Sequence, residues 1–345
     1  MAAAATPAAQ KMNQPAAART FQGRGYTERV NFVSNAALSI GGSTAFSKEF
    51  RLGQGWYTMW LHFAFAFTVG TGTTALSDAT LRIIRKLFLK TDRSELICNE
   101  GGRAMFYIAA YKMGTRPNIT TFAAANGTYH VYLPIFFVDW DMKRPQDSIL
   151  DTARYESIDF EVQLGTVADL LGTVGTSSVT CTLDIDVERS YGKLPAKAKP
   201  HYFVSYDHRP PQDPSVNPNI ELEKSPDLSL KRLFVWTGDT GIAGTPWTGN
   251  ANDTYPQKAN IQDQDRFIEK DRVHATTQSM NKTDASLETV LAGVEVFDFV
   301  KEGAITNAMS TGEKSQLQYQ LTQSGAAASS NLTLTHEGIR LLKSN

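Results

Sequence analysis

The sequence predicts an all-β protein built from two similar domains in tandem, and three observations support this fold class. Apolar residues recur with period two along several segments, which is the spacing of strands that bury one face. Segments with helical periodicity are few. Three short segments of the first half recur, in the same order, in the second half.

The longest strand is predicted over residues 56–70, WYTMWLHFAFAFTVG. Its large apolar residues fall on one face: Tyr57, Met59, Leu61, Phe63, Phe65, Phe67 and Val69. The other face carries Trp56, Trp60 and, near the middle, His62. The segment is shorter than the roughly 20 residues that span a bilayer. We therefore expect a strand packed on a core and not a membrane helix.

Further strands and two short helices follow from the same test. Alternation predicts strands at 159–164, 181–188, 294–299 and 316–321, separated by turn-forming clusters such as AANGT and TGDTG. Helices are predicted near 166–174 and 284–293, the second with Asp284 as its N-cap. Many strands with irregular connections indicate a β-sandwich or barrel.

The internal repeats indicate a duplication. Each repeat alone is weak, because strands use a small set of residue types, but their shared order favours two copies of one β-domain. The matched segments are 85–92 with 231–239, 137–139 with 296–298, and 161–164 with 318–321.

We predict an N-terminal arm over 1–20, a first domain over 21–195 and a second over 196–345. The arm is Ala-rich and has neither the charged start nor the apolar stretch of a signal peptide. Prolines and lysines interrupt the strand pattern at 192–202, where the domains should meet. Residues 207–227 and 240–286 predict long connections, which are often functional or ordered by a partner.

Composition narrows the function. The formal net charge is −1, so the chain lacks the dense basic surface that neutralises nucleic-acid phosphates, and we expect no direct nucleic-acid binding. The two cysteines, Cys98 and Cys181, predict neither a metal site nor a disulfide framework and indicate folding in a reducing compartment.

The stretch HVYLPIFFVDWDM (130–142) raises the question of catalysis. Asp139 and Asp141 flank a tryptophan and offer the two carboxylates of a sugar-cleaving site, but one member would need an apolar pocket to raise its pKa. Because Lys143 and Arg144 follow at once, we interpret the pair instead as the solvated end of a buried strand.

No other segment predicts an enzyme or a cofactor site. Asp184, Asp186 and Glu188 share one strand face and would suit calcium, but no ligand-binding loop surrounds them, so a hydrated or interface-facing strand is the preferred interpretation. The six histidines lack metal-site spacing, and no nucleotide-binding or nucleophile motif is complete. We predict no catalytic, cofactor-binding or metal residue.

Together these features resemble the double jelly-roll major capsid proteins of tailless, membrane-containing icosahedral bacteriophages, the tectivirus-like lineage that includes the adenovirus hexon. The resemblance covers roughly residues 20–345. It rests on YHVYLPIFFVDWD with SILDTARYESIDFEVQLGTVADL, on CTLDIDVERSYGKLP, and on GVEVFDFVKEGAITNAM with LQYQLT near the C-terminus.

The resemblance implies two tandem eight-stranded jelly rolls with an extended N-terminal arm and long loops. It also implies a homotrimer that forms pseudo-hexagonal capsomers of an icosahedral shell, made in the host cytoplasm. The expected partners are other copies of the chain, minor capsid and vertex proteins, and an internal membrane contacted by the arm.

Trp236, Trp247 and Tyr255 lie in or near the long loops and are our candidate interface anchors, because Trp and Tyr dominate interface hot spots. The alternative function is a secreted tandem β-sandwich that binds or cleaves carbohydrate, with Trp140 and Trp247 as stacking platforms. A third possibility is an extracellular adhesin or spike module.

Overall fold

The computed structural model describes residues 27–42, 44–50, 53–70, 74–76, 78–139, 148–190, 202–212, 219–237, 258–264, 266–286, 294–300, 308–314, 316–322 and 332–341. The predicted arm, Asp141, Trp247 and Tyr255 lie outside these ranges, as does the predicted domain boundary at 195/196. Within the described ranges, helices are too short or too polar to cross a membrane.

The described residues of the first half form nine strands and two helices. The strands are β1 (Thr27–Leu38), β2 (Phe46–Phe50), β3 (Gly55–Thr68), β4 (Ile84–Thr91), β5 (Leu96–Glu100), β6 (Gly127–Phe136), β7 (Leu150–Asp151), β8 (Ile158–Leu164) and β9 (Ser178–Ser190). The helices are α1 (Ala79–Arg82) and α2 (Gly102–Met113). A 3₁₀ turn at Val167–Asp169 precedes β9.

These strands form a jelly roll. One sheet has the order β1-β9-β3-β6, with the two-residue β7 on β3, and the facing strands have the order β2-β8-β4-β5. In each layer, strands from the beginning of the domain alternate with strands from its end. This alternation is the strand order of a jelly roll, in which two Greek keys enclose one core.

The second half repeats the same arrangement. Its elements are β10 (Tyr202–Gln212), β11 (Asn219–Glu221), β12 (Leu228–Thr237), β13 (Lys258–Asp263), β14 (Arg266–Val273), α3 (His274–Asp284), β15 (Val294–Asp298), β16 (Met309–Ser310), β17 (Leu317–Thr322) and β18 (Leu332–Leu341). The layers have the orders β10-β18-β12-β15 and β11-β17-β13-β14, so both barrels have the same topology and the predicted fold class is confirmed.

The two barrels share a sheet. Strand β10 pairs in parallel with β5, with Tyr206 opposite Cys98 and Asp207 opposite Asn99. This pairing makes one nine-stranded sheet from the second layer of the first barrel and the first layer of the second. The edge strand of each layer is thereby covered by the other barrel.

Strand β12 is buried on both faces because it lies between two cores. Phe234 and Trp236 belong to the large core cluster that also contains α2 and the interior of the first barrel. Leu233 and Val235 belong to the separate core of the second barrel. A strand between two cores reads as a continuous apolar run instead of an alternating one.

The prediction for β3 is confirmed, with two corrections. Its even-spaced apolar residues from Tyr57 to Phe67 are buried, and Trp60 and His62 lie on the outer face. Val69, predicted on the buried face, lies beyond the end of the strand and is 37% exposed. Trp56, predicted on the outer face, is fully buried. The pairing of β3 with β9 shifts register between Trp56 and Thr58, and this irregularity turns the indole inward against Phe137.

Two of the three repeats lie on, or at the ends of, equivalent strands of the two barrels. Segments 161–164 and 318–321 lie on β8 and β17, and segments 137–139 and 296–298 lie at the ends of β6 and β15. The longest repeat is a coincidence of residue types, because 85–92 lies on β4, the fourth strand of its barrel, whereas 231–237 lies on β12, the third strand of the other.

Neither predicted helix is seen as an α-helix in the described residues. The segment near 166–174 contains only the 3₁₀ turn. Asp284, the predicted N-cap, is the last residue of α3, and most of the helix predicted at 284–293 lies outside the described residues. Helix α2 was not predicted from the sequence. Ten of its residues, from Gly102 to Tyr111, are buried, so apolar side chains surround it and leave no amphipathic stripe to detect.

Candidate functional site: the junction between the two barrels

Six ionisable side chains, none more than 11% exposed, meet where α2 and the end of β6 approach β12, β15 and β18. Three are cations and three are carboxylates: Lys112, Lys231, Arg232, Asp139, Asp298 and Glu337. Their charges balance, which is the condition under which ions survive removal from water. We call this set the junction network.

Glu337 lies at the centre of the network. Its Oε1 is 2.9 Å from the Nζ of Lys112 and 3.9 Å from that of Lys231, and its Oε2 is 3.1 Å from Nη1 of Arg232. The Glu337 side chain is 0% exposed, while Lys112 and Arg232 are each 5% exposed. One carboxylate of the second barrel thus contacts a cation of the first.

The remaining two carboxylates occupy the outer ends of the network. Asp139 forms an ion pair with Lys231, and both side chains are fully buried. Asp298 accepts a hydrogen bond from Nε of Arg232 at 2.6 Å. The interpretation of Asp139 as the solvated end of a strand is therefore wrong: the chain leaves β6 towards the second barrel, and a buried lysine balances the carboxylate.

A β-bulge explains why two neighbouring residues both reach the network. Successive residues of a strand normally point to opposite faces. The pairing of β12 with β18 passes from Leu230 opposite Gly338 to Arg232 opposite Glu337, so Lys231 is an extra residue on β12. The bulge redirects the strand so that Lys231 and Arg232 contact Asp139 and Glu337 respectively.

Aromatic groups complete the junction. The Nζ of Lys112 donates to the Tyr206 hydroxyl at 2.8 Å, and that hydroxyl donates to the Phe136 carbonyl at 3.0 Å. Lys112 also lies 5.5 Å from the centroid of the Phe136 ring. The guanidinium of Arg232 lies 5.4 Å from the centroid of the Tyr111 ring. These contacts hold the cations through more than one partner each.

The network shifts the pKa values of its members in opposite directions. Burial by itself would raise the pKa of Glu337, but Lys112, Arg232 and Lys231 outweigh burial and hold the pKa well below its usual value. Burial opposes the charge of Lys112 too, yet Glu337 and its neighbours raise the pKa of that lysine. Burial, together with Arg232, lowers the pKa of Lys231.

The junction network suits holding the two barrels together, and its geometry does not suit catalysis. A catalytic carboxylate pair needs access to substrate and one raised pKa, whereas Glu337 is buried with a lowered pKa. Ion pairs that cross between the barrels fix the relative position of α2 and β12, because any slip separates buried opposite charges.

The structure places Trp236 in this same region. Its indole is 0% exposed, its Nε1 donates to Oγ1 of Thr335 at 2.9 Å, and its ring lies 6.1 Å from that of Tyr107 on α2. This burial corrects the prediction that Trp236 anchors a contact with another copy: it packs one barrel against the other within the chain. Trp247 and Tyr255 remain predictions.

The acidic residues of β9 are engaged in pairs and not gathered around an ion. Asp184 contacts His62, and Asp186 contacts Arg29 at 3.3 Å and Asn31 at 2.9 Å. Across the described residues, no three His, Cys, Asp or Glu side chains converge as metal ligands would.

The topology and the shared sheet define a double jelly-roll protein. No protein-family model matches the sequence, and no curated protein matches it either. Solved structures do match. The STIV major capsid protein, with STIV being the Sulfolobus turreted icosahedral virus, shares 11% identity over 92% of this chain and 97% of its own, with a TM-score of 0.66.

Two further viral proteins give the same result. The major capsid protein P2 of bacteriophage PM2 has 11% identity, a TM-score of 0.61, and coverage of 93% of this chain and 99% of its own. The Faustovirus major capsid protein has 7% identity, a TM-score of 0.59, and coverage of 92% and 91%. The chain has the double jelly-roll fold of these major capsid proteins.

Proposed function

We propose that the chain is a structural virion protein, the major capsid protein of an icosahedral virus, without enzymatic activity. The observation that carries the proposal is the joining of two complete barrels through one sheet and a buried ion network. Such a chain is a rigid two-barrel block, and shells are built by repeating rigid blocks with many weak, symmetric contacts.

The block suggests how copies assemble. Three copies around a threefold axis place six barrels in a ring, so a trimer has a pseudo-hexagonal outline that can tile a shell. The similar structures support this role, since they are major capsid proteins, one of them from a bacteriophage. The shell is the location we infer, after synthesis in the host cytoplasm.

The partners follow from this role. The main partners are other copies of the chain. Minor capsid and vertex proteins would bind where the contacts between trimers differ from those in the rest of the shell. Residues 1–20 are proposed to lie along the inner shell surface against neighbours or an internal membrane. The net charge of −1 suits a shell that does not touch the genome directly.

Solution mass tests the proposal. Size-exclusion chromatography with light scattering should show three copies of the 37.9 kDa chain, about 114 kDa, and larger assemblies. A stable monomer that binds glycans would favour the carbohydrate-binding alternative and overturn the capsid role.

Deletion of residues 1–20 tests the arm separately. The shortened chain should still form the trimer and should fail to form closed shells, as judged by electron microscopy. If the shortened chain is monomeric, the arm is part of the trimer contact and our assignment of it is wrong.

Alanine replacement of Trp247 or Tyr255 tests the remaining anchors. Loss of a hot-spot aromatic typically weakens association by at least about 2 kcal/mol, so the trimer should dissociate on dilution while the barrels stay folded. Unchanged dissociation would show that these residues lie away from the contact.

A further inference from the structure

Two histidines lie next to each other on the outer face of the first sheet. His62 is on β3 and faces Tyr132 of β6 across the strand pair, while His130 faces Ala64. The histidines are therefore diagonal neighbours on adjacent strands. Asp184 of β9 lies opposite His62 on its other side, so one row across the sheet reads Asp184, His62, Tyr132.

Hydrogen bonds connect this row to His130. The Nδ1 of His62 is 3.1 Å from Oδ2 of Asp184, and the Nε2 of His62 is 2.9 Å from Nδ1 of His130. The other oxygen of Asp184 accepts from the backbone N–H of Asn35 at 2.7 Å. Because an ionised carboxylate only accepts, Nδ1 of His62 carries the hydrogen, and Nε2 accepts from Nδ1–H of His130.

The rings face each other head to head. Their centroids are 5.2 Å apart and their planes differ by 24°. With Nε2 of His62 only 2.9 Å from Nδ1 of His130, these two nitrogens lie on the line that joins the ring centroids. Two imidazoles that chelate a metal at about 2.0–2.1 Å must both aim at a third point and stand farther apart. The geometry fits a hydrogen between the nitrogens and not a metal ion.

We propose that His62 and His130 form a proton-sharing pair that accepts one added proton with its contacts intact and is broken by a second, which makes this face of the first barrel acid-responsive. The first proton binds at Nε2 of His130, whose Nδ1–H still donates to His62. The second proton must bind Nε2 of His62. There it removes the acceptor of the hydrogen bond from His130 and places two positive charges side by side.

A carboxylate and an aromatic ring contact His62 beside the histidine pair. Asp184 supplies a negative charge to His62, and the Tyr132 ring stacks on His62 at 4.4 Å and 3°, where its face attracts a cation. The other charged groups on β9 and β1 are Glu188 and two ion pairs, one between Asp186 and Arg29 and one between Arg189 and Glu28. The segment paired with the outer edge of β6 contributes neutral backbone groups of Asn118 and Thr120.

Histidine-specific NMR tests the proposal on the full chain. With ¹³Cε1-labelled histidine, titration from pH 8 to pH 5 should show His62 and His130 responding together in two steps, separated by about tenfold or more in proton affinity. In His130→Gln the His62 signal should titrate in a single step, and in His62→Gln the same should hold for His130.

Two aspartate variants provide matched controls. Asp184→Asn removes the charge that supports the pair and should move the first step to lower pH. Asp186→Asn removes an equal charge one row away, where Arg29 is its partner, and should leave both steps in place. Circular dichroism at pH 8 confirms that each variant is folded.

Two results would overturn the proposal. One is independent, overlapping titration of the two histidines in the unmodified chain that the partner's replacement does not alter. The other is a shift of both signals on addition of equimolar Zn²⁺ at pH 7, which would identify the pair as a metal site instead.

Discussion

Replacement of Glu337 by Gln perturbs the junction network at its centre. The side chain keeps its size but loses its negative charge, so three buried cations face two carboxylates. The lost partners are near: Lys112 at 2.9 Å, Arg232 at 3.1 Å and Lys231 at 3.9 Å. Because the site is buried, water cannot screen the excess positive charge.

The expected loss of stability is large. Removing one member of a buried ion pair typically costs about 3–5 kcal/mol, most of it from the charge left without compensation. Glu337→Gln should therefore lower the free energy of unfolding by about 3 kcal/mol or more. The second change Lys112→Met restores the balance, so the double variant should be less destabilised than the sum of the single changes.

The assay is urea unfolding followed by tryptophan fluorescence, at one protein concentration for all variants so that association contributes equally. Asp186→Asn is the control, because its ion pair with Arg29 is largely exposed and such pairs contribute about 0–1 kcal/mol. If Glu337→Gln costs no more than the control, or if the double variant shows simple additivity, the network does not hold the barrels together.

Three further predictions follow from burial. The pKa of Glu337 is lowered in the folded chain, so the stabilisation by its carboxylate is fully present above the unfolded carboxyl pKa of about 4.3 and is lost as the pH falls from there through the folded pKa. The melting temperature should therefore fall less steeply with acid in Glu337→Gln than in the unmodified chain. Gly102→Ala would place a Cβ 2.8 Å from the Leu81 carbonyl oxygen and should cost about 1–3 kcal/mol in urea unfolding, whereas Gly53→Ala meets open space and should change little. Burial raises the pKa of Cys181 to about 12, so this thiol should not react with a disulfide reagent at pH 8 until urea unfolds the chain; prompt reaction would contradict the burial.

The strands were the predictable part of this protein. A strand with one buried face, such as β3 or β8, alternates along the sequence and is recognised from that pattern alone. Helix α2 and strand β12 are buried on more than one side, so their residues lack the contrast between apolar and polar faces that prediction depends on. Burial from two directions comes from tertiary packing, which local patterns do not encode.

The junction network was hidden for a related reason. Asp139 is followed by charged residues, and in sequence a carboxylate at a strand end looks solvated. Its partner Lys231 is 92 positions away, on a strand that tertiary structure brings close when β5 pairs with β10. The bulge that turns Lys231 towards Asp139 has no local signal either, since it arises from the register of β12 against β18.

The shortest of the three repeats nevertheless marks the junction between the two barrels. Segments 137–139 and 296–298 end in Asp139 and Asp298, which follow or complete β6 and β15 at equivalent positions of the two barrels. Each aspartate binds one of two consecutive residues, Lys231 and Arg232, at the bulge. The duplicated carboxylates thus converge on one point of one strand, and the barrels cannot separate without breaking the pair between Asp139 and Lys231. The feature that first suggested an active site is better understood as a contact that makes two barrels one block.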